Sequence, residues 1–196
     1  MAGHLDFPGA PFAEESIPNL FAKELDMPTT KTTARKTKPD ASRGAGADAV
    51  ALLEADHKEV KQMFKAYGEL VKSDGDSTQK QALAEEICAS LTVHATIEEE
   101  IFYPAVRQAI DEQDLLDEAE VEHASCKDLI TQIQSMDPDD ELYDARVTVL
   151  GEYIEHHVKE EEGEMFPKAK KAKLDTAALG AEMMARKDEL TMAATA

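Results

Sequence analysis

The sequence predicts an all-α protein: an up-down-up-down four-helix bundle, preceded by a disordered tail and followed by a short fifth helix. Three observations carry this reading. Apolar residues recur at alternating steps of three and four along four long stretches, the mark of helices with one buried face. Aromatic residues make up only 5% of the 196-residue chain and Trp is absent, which speaks against a β-sandwich. One motif also occurs twice. Residues 94–104, His-Ala-Thr-Ile-Glu-Glu-Glu-Ile-Phe-Tyr-Pro, align without a gap on residues 157–167, His-Val-Lys-Glu-Glu-Glu-Gly-Glu-Met-Phe-Pro.

The order along the chain is residues 1–46 as a partly basic, disordered segment, 47–170 as the bundle, and 171–196 as a short helix and tail. The first segment has too little apolar content for a core, apart from a short helical stretch near 19–25. Residues 27–46 are low in complexity, with five Lys/Arg against one Asp, and the expectation is that Met27 is the natural start. Residues 1–46 balance six basic against six acidic side chains, so the whole net charge of −20 falls on the remainder. Such an acidic domain repels nucleic acid and anionic lipid. No apolar run approaches a membrane span and no secretory signal is visible. Cys88 and Cys126 are too few for a disulfide framework and read as reduced thiols of a cytoplasmic protein.

Helix 1 is expected from about Asp48 to Lys72, with a stripe of Val50, Leu53, His57, Val60, Phe64, Tyr67 and Val71, and it stops at Ser73-Asp-Gly-Asp-Ser77. Helix 2 is expected from about Thr78 to Ile110. Its inner face is Leu83, Ile87, Leu91, His94, Glu98, Ile101 or Phe102, and Ala105, with a bend before Pro104. Helix 3, about Asp114 to Met136, buries Leu116, Ala119, His123, Cys126, Ile130 and Ile133. Asp137-Pro-Asp-Asp140 ends it and supplies an N-cap for helix 4. Helix 4, about Glu141 to Ala169, has the inner row Leu142, Arg146 or Val149, Tyr153, His157, Glu161 and Met165. The fifth helix spans about Leu174 to Leu190, capped by Asp175 and docked by Leu179 and Met183, with the final Ala-rich residues frayed.

Each bundle helix thus carries a histidine in its apolar seam, and two carry a glutamate one turn later. His57 precedes His94 by 37 residues and His123 precedes His157 by 34, so the chain repeats one design: a lone His on one helix, then His-x-x-x-Glu on the next. Residues four apart on a helix lie about 40° apart around the axis and reach one small ion together. An unpaired buried carboxylate costs several kcal/mol, and six buried polar groups would cost about as much as a domain's net stability of about 5–15 kcal/mol. Four imidazoles outnumber two carboxylates, so mutual pairing does not compensate them, whereas a pair of divalent ions does. Without thiolate, this set suits iron or manganese and tolerates zinc. Six protein ligands leave positions open on two six-coordinate ions. Of the other polar residues, Glu99, Glu100, Glu160 and Glu162 read as a solvated face, His156 as a flank residue, His4 as irrelevant and Cys126 as core. Tyr153, one turn before His157, is placed either near the centre or in the core.

At these residues the chain resembles the hemerythrin family, in its bacterial cation-binding branch, over about residues 48–170. The resemblance rests on His57, His94-x-x-x-Glu98-Glu with Phe-Tyr-Pro, His123, and His157-x-x-x-Glu161-Glu with Met-Phe-Pro. It implies two non-haem irons, oxo- or hydroxo-bridged, with His57, His94, His123 and His157 as terminal ligands and Glu98 and Glu161 as bridging carboxylates. The oxygen-carrying members have a second His one turn after the third-helix His, where this chain has Lys127. They also use an Asp five residues after the last His, where this chain offers Glu161 at four or Glu162 at five. The resemblance therefore implies a protein that binds or senses O2, or handles peroxide or nitric oxide, more than a classical oxygen carrier. A catalase- or oxidase-like enzyme and an iron-responsive interaction module are the rival readings.

Overall fold

The structure is a computed structural model and describes residues 48–194; the expectations of disorder over 1–46 and of a short helix near 19–25 lie outside them. Helix α1 spans Ala49–Lys72 and α2 spans Ser77–Ile97. Helix α2 passes through a wide turn at Glu98–Phe102 into α3, Tyr103–Ala109. Helix α4 spans Asp114–Gln134 and α5 spans Tyr143–Glu160. A second wide turn, Glu161–Met165, leads into α6, Phe166–Lys171, and α7 spans Thr176–Ala194. The α1–α2 and α4–α5 hairpins form the predicted bundle, and α7 packs on α1 and α2.

The helix starts follow local chemistry. Asp48 accepts from the backbone N–H groups of Val50 and Ala51, Asp76 from those of Thr78 and Gln79, and Asp175 from that of Ala178. Asp140 does not cap α5 as expected. Its carboxylate accepts from the Asp137 N–H within the loop, and α5 begins two residues later than predicted, at Tyr143.

Both wide turns are π-helical: the N–H of Tyr103 donates to the Glu98 carbonyl and that of Phe166 to the Glu161 carbonyl, five residues back in each case. Each lies just before the proline, which has no N–H to donate. The extra residue advances the buried row, so beyond Glu98 it continues through Phe102, Val106 and Ile110, with the predicted Ala105 only partly buried. In α5 the predicted row is wrong before His157: Leu142, Val149 and Tyr153 are exposed, while Tyr143, Val147, Leu150 and Ile154 are buried. Counting back in uniform fours drifts about 40° per step, whereas alternating threes and fours stay on the seam. Val71, predicted in the α1 stripe, is likewise exposed. Helix α7 runs past Leu190 to Ala194, held by Met183 in the core and by Arg186 and Lys187, which pair with Glu100 and Asp56.

The core has two parts. One gathers Leu53, Ile97, Phe102, Leu116, Phe166 and Met183; the other gathers Val60, Ile87, Leu91, Ile130, Tyr143 and Leu150. On every bundle helix the polar candidates fall between these two sets.

Candidate metal centre

All six candidates, His57, His94, Glu98, His123, His157 and Glu161, are buried, at 0% to 8% exposure. The structure brings them together as two groups of donor atoms. His57, His94, Glu98 and Glu161 form one, and Glu98, His123 and His157 the other, each group lying within 4.8 Å. Glu98 belongs to both. Glu161 also approaches His157, its Oε2 being 3.5 Å from the ring Nε2.

The histidines are oriented from outside. The Nδ1 of His57 faces Glu162 at 2.9 Å, that of His123 faces Glu99 at 2.8 Å, that of His157 faces Glu122 at 2.7 Å, and that of His94 faces Asp56 at 3.5 Å. A carboxylate only accepts, so each Nδ1 carries a proton and each Nε2 is the nitrogen turned inward. Those inner nitrogens face each other: His57 and His94 with Nε2 atoms 3.2 Å apart, His123 and His157 at 3.1 Å. Both Glu98 oxygens and Oε2 of Glu161 are buried without a hydrogen-bond partner, although ring nitrogens lie 3.2–3.5 Å away. Facing ring nitrogens and orphaned carboxylate oxygens call for positive charge between them, protons in the metal-free chain or metal ions in their place, so the residues present fit metal ions at the two donor groups.

Protonation follows the same logic. Burial alone pushes His94 and His157 down, but the carboxylates around them outweigh it. Glu98 and Asp56 hold His94 up at about 10; Glu161 and Glu122 hold His157 at about 9. Burial pushes Glu161 up, but His157, His57 and His94 together draw it below the usual carboxylate range.

One participant escaped the sequence reading. The Tyr103 hydroxyl donates to Glu161 Oε1 at 2.9 Å and lies 3.2 Å and 3.5 Å from the Nε2 atoms of His123 and His157. Burial, then Glu161 and Glu98, hold this phenol well above its ordinary value, so it keeps its proton in the metal-free chain. Phe166, its counterpart in the repeat, stacks on His57 with ring centroids 5.7 Å apart and offers no ligand atom. Tyr153, the tyrosine singled out by spacing, is exposed. Glu99 and Glu162, read as a solvated face, orient His123 and His57 instead. Asp56 and Glu122 were not anticipated; the signal was there, because each directly precedes the lone histidine of its hairpin. Lys127, at the departure from the oxygen carriers, lies 2.6 Å from both oxygens of Glu99 and so braces His123 from outside.

A cavity of about 380 Å³ opens beside all four histidines. Val60, Leu91, Cys126, Ile130, Ile154 and Val158 give it an apolar wall. Cys126 is a free, buried thiol that burial pushes up to about 11, so it lines the cavity as a neutral group. Among the described residues no helix is long and apolar enough to cross a membrane.

Known proteins place this arrangement. A crystal structure of a hemerythrin HHE cation-binding domain-containing protein from Mycobacterium kansasii shares the fold, with a TM-score of 0.64 at 23% identity, over 76% of this chain and 90% of that one. A DNA nickase of Nostoc sp. is 33% identical over 118 residues, which is 59% of this chain but 31% of the relative, so the chain spans about a third of that protein. The family profile of the hemerythrin HHE cation-binding domain matches residues 48–169. With that match covering more than half of its length, the chain belongs to the hemerythrin HHE cation-binding family.

Proposed function

We propose that the protein holds two non-haem iron ions through His57, His94, Glu98, His123, His157 and Glu161, and that it binds or senses O2, or handles peroxide or nitric oxide, at that centre. The two facing pairs of imidazole Nε2 atoms carry this reading, because each pair can share one cation in place of a proton and the two carboxylates lie between them. Nitrogen and hard oxygen donors without thiolate favour iron, with manganese or zinc as substitutes. Bound iron supplies the electrons that such small ligands accept.

The chain's own residues shape what reaches the ions. The apolar cavity admits small neutral molecules and keeps bulk water away from the ring nitrogens. Asp56, Glu99, Glu122 and Glu162 hold the Nδ1 protons, so that each Nε2 is the nitrogen presented to an arriving ion. Tyr103 holds a proton beside Glu161 and can give it to a ligand that gains negative charge. Residues 47–170 act as the metal-binding unit, with 171–196 as its cap. The buried free thiols Cys88 and Cys126 support a reducing compartment, the cytoplasm. The chain's formal charge of −20 argues against nucleic acid as its partner, whatever the larger nickase acts on.

Tyr103 favours one further reading, a catalase- or oxidase-like activity, because a buried phenol beside the centre is an acid/base group. Metal analysis of anaerobically purified protein, with an absorption spectrum as air is admitted, tests the first reading. Two irons per chain and an oxygen-dependent spectral change are expected; no stoichiometric metal after iron supplementation overturns it. Catalytic peroxide consumption that disappears in Tyr103→Phe at unchanged iron content selects the enzyme, and strictly stoichiometric reaction rejects it.

A further inference from the structure

Four carboxylates orient the four histidines, and three of them are backed on the outside by an ammonium group. Lys187 lies 2.5 Å from Asp56, Lys127 2.6 Å from Glu99, and Lys61 3.8 Å from Glu162. The fourth, Glu122, departs from this rule. Among the described residues no Lys or Arg reaches it. Where the ammonium would stand there is instead an imidazole, His156, with Nε2 3.4 Å from Glu122 Oε1 and 3.3 Å from Glu160 Oε1.

We propose that Glu122, His156 and Glu160 form a third cation site, open to solvent, that takes one borderline divalent ion such as Zn²⁺, Co²⁺ or Fe²⁺ in the position the ammonium groups occupy elsewhere. The donor chemistry fits. His156 and Glu160 are one turn apart on α5, and Glu122 reaches them from α4. Two donors held by one ion at about 2.1 Å with a tetrahedral angle lie about 3.4 Å apart, the spacing from His156 Nε2 to each of the two carboxylate oxygens. The ring is 64% exposed, so an ion arrives directly from water and completes its shell with it.

The surroundings suit a cation as well. Asp114, Asp117, Glu118, Glu122 and Glu160 line the groove around His156, and the nearby Arg107 turns to Asp117 and Glu120 instead. An acidic groove alone would hold only a diffuse counterion cloud. The imidazole donor and the broken pattern of ammonium partners single out one point within it. Glu122 meanwhile spends its other oxygen on His157 Nδ1 at 2.7 Å. An ion on its outer oxygen therefore stands one carboxylate away from a histidine of the buried centre. This second role, positioning His157, rests on the dinuclear reading; the site itself does not.

The test uses the full chain, stripped of metal and dialysed to equilibrium against Co²⁺, with ions per chain counted and the cobalt d–d absorption recorded. Three ions are expected for the wild type and two for His156→Ala, a substitution at an exposed position. Glu160→Gln should also lose the third ion. His156→Lys restores the ammonium pattern and should hold two ions with the spectrum of the buried pair unchanged. The loss of one ion in His156→Ala supports the site whatever the total, and a wild-type count of one falling to none would sink the dinuclear reading alone. Equal counts in wild type and His156→Ala overturn the proposal.

Discussion

The α1–α3 half and the α4–α6 half of the bundle are built to one plan, and they differ at one hydroxyl that matters. Each half supplies a lone His with an acid directly before it, then His-x-x-x-Glu-Glu through a π turn to an aromatic and a proline. The first half ends its motif with Tyr103, whose hydroxyl crosses to His123 and Glu161. The second ends with Phe166, which crosses to His57 and contributes only a ring face. Two copies of one motif thus give two unlike surroundings. One has a phenol oxygen in reach, and the other is closed by hydrocarbon where the first has an acid. The donor groups differ as well, four residues around His57 and His94 against three around His123 and His157.

Glu98 is the place to break both pockets at once, since its two oxygens are shared between them. Glu98→Ala should reduce metal content from two ions per chain to nearly none, and should abolish the rise in melting temperature that metal gives the wild type. A variant that still loads two ions would show that Glu161 alone suffices.

Acid should separate the halves next. Without metal, His94 keeps its proton up to about pH 10 and His157 up to about pH 9. An entering ion must displace each proton, so affinity should fall about tenfold per proton for each pH unit below those values. The pocket of His94 should weaken first as pH falls. The same protons stabilise the metal-free fold, fully below the ordinary histidine value of about 6.5, and that contribution disappears as pH rises through 9 to 10. Metal titrations between pH 6 and 10 and melting of the metal-free chain read both effects; a flat affinity profile refutes them.

The outer carboxylates should matter less. Glu122→Gln and Asp56→Asn should each weaken metal binding about 10–100-fold. Glu122→Gln is the more damaging of the two, because its hydrogen bond to the ring is 2.7 Å against 3.5 Å for Asp56. Competition with a chelator measures the ranking.

The smallest effect on metal content belongs to the hydroxyl itself. Tyr103→Phe should keep two ions and lose the proton that the phenol holds beside Glu161, so that reaction with peroxide slows at equal iron content. Phe166→Tyr should bring a second phenol to the pocket of His57. Equal peroxide reaction rates in wild type and Tyr103→Phe would show that the phenol gives up no proton.

The helices and the six inward groups were legible because burial is periodic and because the motif is written twice. What stayed hidden depends on backbone register or on side chains just off the seam. From sequence the first π turn reads as a simple bend before Pro104 and the second leaves no mark, since an extra residue per turn leaves no compositional trace. Tyr103 was passed over because aligning it with Phe166 kept only the shared ring. Tyr153 was preferred by a count in fours, which carried it around to the solvent side. Asp56, Glu99, Glu122 and Glu162 sit beside the seam, where an acid reads as solvated unless its partner on another helix is known.

The crossed carboxylates also impose a timetable. His57 is oriented by Glu162, 105 residues further along the chain. At a synthesis rate of about 5–20 residues per second, the first histidine waits on the order of five to twenty seconds after its own translation before that carboxylate even exists. Until then the nascent first hairpin holds only part of a donor set and grips any passing metal weakly. The complete set of donors and their orienting carboxylates therefore exists only once the chain is nearly finished.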